Sequence, residues 1–274
     1  MKRRILILCS IAVLGSAVAS PALAGTVRNG GSTGMWLLAQ LVASSFNKTQ
    51  GKSGVNIGPV AAIGSGAGIS RVFAGQLDIG NSSRDYEPDG RDKATPGLVF
   101  TPIAKEGFVV IVHPSNPLCK KGMTEDQVKQ IFTGQATSWD QVGGGALGTI
   151  NVYSRVATSG TQPTFSRLYL GGADVVGKPL QSNLADRSAV QGDKSGVSFV
   201  TLAYTLTSKK VCAVPIGGVQ PTLKNVASNQ FKYWGFQYYV TKGDPAGDAK
   251  ALIDYALSSS VQKKIISKLA VPVK

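Results

Sequence analysis

The feature that most constrains this chain is a strand-to-helix turn at residues 154–165, Ser-Arg-Val-Ala-Thr-Ser-Gly-Thr-Gln-Pro-Thr-Phe. Ile150, Val152 and Tyr153 precede it with strand character, and Phe165, Leu168 and Tyr169 follow at helical spacing. The first amides of a helix have no partner within it, and the aligned peptide dipoles leave that end partly positive. Ser159, Gly160 and Thr161 therefore bring amides and two hydroxyls to one point, and Gly160 lets the backbone approach closely. Pro163 falls in the first turn, where its missing N–H costs little. Arg155, at the strand end, adds a planar fork of donors. The set suits a small anion, although one such turn taken singly is more often a plain helix cap.

Two further turns repeat the design. Residues 26–28 read as a strand, and Asn29-Gly30-Gly31-Ser32-Thr33-Gly34 reads as a turn. Trp36, Leu37, Leu41, Val42 and Phe46 then mark a helix to about residue 48. Residues 55–57 read as a strand leading to Gly64-Ser65-Gly66-Ala67-Gly68, where Ile69, Val72 and Phe73 give one face of a short helix. A polar turn, Asn81-Ser82-Ser83-Arg84, closes the strand that starts at Leu77. Three Gly/Ser turns feeding helix N-termini point to a shared ligand cleft.

The rest of the chain keeps the alternation. Residues 98–103 and 108–112 read as two strands, and residues 197–200, 211–214 and 236–240 as three more. Thr124 with Gln127 fits a capping box, Val128, Ile131 and Phe132 give that helix its buried face, and Gly134 ends it. Asp248 reads as the cap of a final helical pair, residues 251–257 and 261–269. Strands alternating with helices imply an α/β chain with mostly parallel sheets and a ligand at the strand C-terminal ends.

The N-terminus carries a second kind of information. Lys2, Arg3 and Arg4 precede an apolar run over residues 5–18, and Ala22-Leu23-Ala24 makes a small-x-small cleavage site. Residues 1–24 thus read as a secretory signal peptide, placing the mature chain in the periplasm or outside the cell. Without its three basic residues the formal charge falls from +14 to +11, a balance that favours anionic partners. No Lys/Arg block with interleaved aromatics appears, which argues against nucleic acid. Cys119 and Cys212 remain after cleavage, and an even pair in an exported chain suggests one disulfide, two buried thiols being the alternative. One histidine, His113, leaves no His-rich metal site and no Ser/His/Asp constellation, so no cofactor and no enzyme activity are expected.

Gly64-Ser65-Gly66-Ala67-Gly68-Ile69, Leu77-Asp78-Ile79-Gly80-Asn81-Ser82-Ser83-Arg84 and Ile111-Val112-His113-Pro114-Ser115-Asn116-Pro117 occur in a characteristic order. Ile131-Phe132-Thr133-Gly134, Ser154-Arg155 with Ser159-Gly160-Thr161, and Thr241-Lys242-Gly243 follow. In this the chain resembles the phosphate-binding proteins of bacterial ABC transporters, within the type II periplasmic-binding-protein fold, over almost its whole mature length. The resemblance implies two α/β lobes joined by two crossing strands, closing over an anion. Lobe one would comprise residues 25–108 and 215–274, and lobe two residues 109–214, with crossings near residues 108–112 and 211–215. Both Cys119 and Cys212 then fall in lobe two, which makes their disulfide geometrically feasible.

Carried over by motif, the phosphate contacts are Ser32, Thr33, Gly34, Ser65, Ser83, Arg155, Ser159, Gly160 and Thr161. The implied function is capture of inorganic phosphate or a similar oxyanion by a monomer that hands it to an ABC permease in the inner membrane. The alternative is a surface or matrix interaction or anion-sensing protein on the same fold, with weak or different oxyanion binding. Many members of the family end the third loop with an Asp that accepts the proton of hydrogen phosphate. Ser83 stands at that position here, with Asp85 displaced beyond it, which leaves the choice between phosphate and sulfate open.

Overall fold

The computed structural model of the chain describes residues 26–51, 54–84 and 96–274. The expected leader at residues 1–24 and Asp85 lie outside them. In chain order the strands are β1 (Thr26–Val27), β2 (Asn29–Gly31), β3 (Asn56–Ile57), β4 (Ala61–Ala62), β5 (Ile79–Ser82) and β6 (Leu98–Val112). They are followed by β7 (Asn151–Arg155), β8 (Lys178–Leu180), β9 (Gly196–Thr201), β10 (Cys212–Ala213) and β11 (Trp234–Lys242). Among the described residues the main sheet runs β4-β2-β5-β11-β6-β9-β7-β8, with β10 also on β6, while β1 pairs with β3 alone.

β6 joins two cores. Its first part contributes Ile103 and Ala104 to a cluster with Leu38, Val42, Phe46, Tyr239, Leu252 and Ile253. Its second part contributes Val109, Val110, Ile111 and Val112 to a cluster with Phe132, Trp139, Phe165 and Phe199. In the second core Phe165 stacks on Phe199 at 4.1 Å, and Phe132 meets both rings edge-on. Such buried rings cost about 3–5 kcal/mol each when cut back to Ala. They anchor the helix Thr161–Leu170 whose first turn faces the cleft.

Several details differ from the sequence expectation. Residues 98–103 and 108–112 form one strand, because Glu106 is buried within it and its Oε1 accepts from the Ala203 amide at 3.1 Å. The sheet is mixed. β2 pairs in parallel with β4 and β5, and β7 with β8 and β9, but the central run β5-β11-β6-β9 is antiparallel. The long β6 and β11 pair antiparallel from Trp234↔Gly107 to Lys242↔Leu98. Asp248 lies in the first turn of the helix Gly247–Leu257, which starts after Ala246, and Ser258 caps the following helix through the Val261 amide.

Residues 211–215 were expected to recross, but β10 lies antiparallel against Ile111 and Val112 on the second core. Ile216, Val226, Phe231 and Tyr233 pack into that same core with Val214. β11 begins at Trp234, which pairs with Gly107. Cys119 and Cys212 are bonded as a disulfide with Cα atoms 5.7 Å apart, tying β10 to the short helix Leu118–Lys121.

Candidate anion site

Each predicted contact sits where an element begins or ends at the junction of the two cores. Ser32, Thr33 and Gly34 follow β2, and Ser65 opens the helix Ser65–Phe73. Ser83 follows β5, Arg155 ends β7, and Ser159, Gly160 and Thr161 form the turn into the helix Thr161–Leu170. All nine are buried. Their side chains and backbone meet across the junction. Arg155 Nη2 donates to Thr33 Oγ1 at 2.9 Å, Tyr204 OH to Thr33 O at 2.6 Å, and Thr201 Oγ1 to Gly34 O at 2.9 Å. Thr164 Oγ1 donates to Ser83 O at 3.0 Å, and the Gly66 amide to Thr158 O at 3.0 Å.

Two glycines make this approach feasible. A Cβ on Gly160 would collide with the side chain of Ser65 and stand 2.9 Å from the Arg84 amide nitrogen. A Cβ on Gly34 would stand 2.9 Å from both Ser83 Oγ and Thr161 Oγ1.

The nine do not all present the same chemistry. The Ser159 amide donates to Val156 O at 2.9 Å, and its hydroxyl accepts from the Gln162 amide at 3.2 Å, so Ser159 chiefly builds the turn. Ser65 Oγ accepts from the Ser83 amide at 3.1 Å, joining the second and third loops. Thr33 Oγ1 receives Arg155 Nη2, Asn183 Nδ2 at 3.2 Å and, at 3.4 Å, the Asn183 amide. Three donors thus meet a hydroxyl with two lone pairs. Arg155 Nη1, buried, has no hydrogen-bond partner. Arg155 also donates through Nε to Leu180 O at 3.2 Å and through Nη2 to Gln181 O at 3.1 Å, which leaves Nη1 as its unpartnered donor, a group suited to an oxyanion.

Three residues enter that the sequence did not suggest. Asn183 donates through Nδ2 to Thr33 Oγ1 and, at 3.1 Å, to Thr161 Oγ1, and its Oδ1 accepts from the Thr201 amide at 3.0 Å. Asp186 pairs with Arg155 Nε at 3.1 Å, with neither side chain reaching solvent. Burial pushes the Asp186 carboxyl up to about 8 against the pull of Arg155, and burial lowers the Arg155 guanidinium from its ordinary value. Gln237, on β11, is fully buried and its Oε1 lies 2.5 Å from Ser83 Oγ.

A cavity of about 380 Å³ flanks the same helix, lined by Arg84, Ser159, Gln162, Ser166 and Arg167 among others. It meets the site only through Ser159, so the convergent donors and not this cavity define the candidate site. Among the described residues no group of three or more His, Cys, Asp or Glu could hold a metal ion.

The PBP superfamily domain matches residues 16–260. The phosphate-binding protein PstS of Bacillus subtilis is 32% identical over 245 residues, covering 89% of this chain and 79% of that protein. The chain belongs to the phosphate-binding protein family of the PBP superfamily. Among solved structures, a Clostridium perfringens protein described as a phosphate ABC transporter substrate-binding protein, with bound phosphate, superposes with a TM-score of 0.81. It shares 29% identity, and the match covers 91% of this chain and 100% of that one. An ABC-type phosphate transport receptor from Vibrio cholerae gives a TM-score of 0.68 at 27% identity, covering 89% and 99%. These relatives of the family member described here are solute-binding proteins, and the fold is the two-lobe type II periplasmic-binding-protein fold.

Proposed function

We propose that the protein is an extracytoplasmic solute-binding protein that captures inorganic phosphate and presents it to an ABC permease, with no catalytic step. The convergence of buried donors on Thr33 Oγ1, together with the unpartnered Arg155 Nη1, carries the reading. An anion taking those donors relieves their crowding and compensates the buried guanidinium, and each charge-assisted bond contributes about 1.5–3 kcal/mol. The ligand contacts are Ser32, Thr33, Gly34, Ser65, Ser83, Arg155, Gly160 and Thr161, with Ser159 shaping the turn. The lobes are residues 25–107 with 235–274, and residues 108–234, hinged where β6 passes Gly107 and β11 begins. The cleft is in its closed arrangement, since Thr33, Gly34 and Ser83 of one lobe are bonded to Arg155, Thr164, Thr201 and Tyr204 of the other. The test is calorimetric titration of the mature protein, stripped of ligand by unfolding and refolding, with phosphate. Saturable one-to-one binding supports the proposal, and the absence of heat and of competition with labelled phosphate, from folded protein, overturns it.

A further inference from the structure

Ser83 lies between two groups that together fix the direction of its proton. Ser32 Oγ accepts from the Gly34 amide at 3.1 Å and the Met35 amide at 3.2 Å, and it lies 2.5 Å from Ser83 Oγ. With its lone pairs taken by two amides, Ser32 has a proton to give and Ser83 is the oxygen beside it. Ser83 then needs an acceptor for its own proton, and Gln237 Oε1 lies 2.5 Å away on the other side. An amide oxygen can only accept. The chain of donors runs from the Gly34 and Met35 amides through Ser32 and Ser83 to Gln237, and all three side chains are at most 2% exposed.

The strand supports this aim. β11 changes register against β6 between Gln237 and Tyr238, Gln237 pairing with Ala104 and Tyr238 with Pro102. The extra residue is Ile103 on β6, so Gln237 keeps the alternation of β11 and shares a side with Tyr239. Gln237 Nε2 has no hydrogen-bond partner, so the residue is held in the core for its oxygen and not for a complete amide network.

We propose that Gln237 is a specificity-determining residue. By taking the Ser83 proton it makes Ser83 Oγ an acceptor towards the cleft, where it lies within 2.9 Å of the position a Gly34 Cβ would occupy. An acceptor there welcomes an oxyanion that still carries a proton, such as hydrogen phosphate. A fully deprotonated tetrahedral anion such as sulfate meets it with two acceptors face to face. Gln237 acts through Ser83 and is a positioning residue, not a ligand contact. This inference rests on the anion-binding reading above.

The test compares phosphate and sulfate dissociation constants for wild type, Q237M, S83A and the Q237M/S83A double variant, with thermal unfolding of each. In Q237M the Ser83 proton is free to turn into the cleft, so sulfate gains and phosphate loses, narrowing the phosphate-to-sulfate preference by about tenfold, the worth of one hydrogen bond. In the S83A background the same change at position 237 leaves the preference unaltered. A Q237M protein that folds but keeps the wild-type preference overturns the proposal. So does a shift equally large with or without the Ser83 hydroxyl, or a uniform loss of both affinities. Should Q237M fail to fold, Q237E keeps an acceptor oxygen for Ser83 and is expected to retain the preference for phosphate, and an inverted preference there overturns the proposal. If wild type binds neither anion, it is the phosphate reading that fails.

Discussion

Asp186 Oδ2 lies 3.1 Å from Arg155 Nε, a contact closed to solvent on both sides. Burial raises the Asp186 carboxyl, and Arg155 and the Ser198 hydroxyl pull it down without offsetting that burial. The carboxyl keeps its proton up to about 8 in the folded chain, against an ordinary value of 3.8. The folded state therefore binds this proton more tightly than the unfolded state. Its contribution to stability is full below about pH 4 and is lost as pH rises through about 8. Urea unfolding at a series of pH values should show a slope between those limits that D186N flattens, and equal slopes in the two proteins would contradict this.

Gly160 fixes how closely the loops can meet. Its φ of −89° suits any residue, so an added methyl acts by collision with Ser65 and not by backbone strain. G160A should hold the cleft ajar and weaken anion binding by at least about tenfold, the loss of one or two charge-assisted bonds, with little change in melting temperature. Titration and calorimetric melting of the same preparation separate the two effects.

The Cys119–Cys212 bond spans 93 residues of sequence. Loop closure over such a span is worth about 4–5 kcal/mol, and disulfides typically contribute about 2–4 kcal/mol. The C119S/C212S protein should unfold at correspondingly lower denaturant while retaining its anion affinity, because the bond lies on the second core away from the cleft loops. A large loss of affinity with unchanged stability would contradict that placement.

Glu106 sits in β6 immediately before Gly107. Its Oε1 takes the Ala203 amide, its Oε2 has no partner, and burial raises its pKa well above the ordinary range. E106Q, which keeps the acceptor without the ionisable group, should be tolerated and should unfold at higher denaturant than wild type at alkaline pH. E106A leaves a buried amide unpaired and should cost about 1–3 kcal/mol. Equal stabilities of the two variants in denaturant titrations would remove the acceptor role.

The sequence made the loops legible because their chemistry and their local conformation share the same residues. Ser32, Gly34, Ser65, Gly160 and Thr161 are at once turn formers, helix openers and donors, so reading the turn reads the site. The helix Asn183–Gly192 escaped because its buried positions are Asn183, Asp186 and Val190. The spacing is helical, but two of the three inward residues are polar, and a pattern search built on apolar residues passes over them. Gln237 escaped for a different reason. Its partner Ser83 lies 154 residues away in sequence, a contact that no local pattern records. The continuity of β6 was hidden likewise, since Pro102, Lys105, Glu106 and Gly107 break its alternation while partners from β11 and Ala203 hold it together.

The most direct test of the site is a crystal structure of the mature protein with arsenate, a tetrahedral phosphate analogue whose anomalous scattering marks its position. The account predicts one arsenic peak between the two cores. Its oxygens should lie within hydrogen-bond distance of Arg155, Thr33 and the Gly160–Thr161 turn, with Ser83 Oγ facing one of them. A fully occupied peak in the cavity beside Arg84 and Arg167, with none at Arg155, would contradict it.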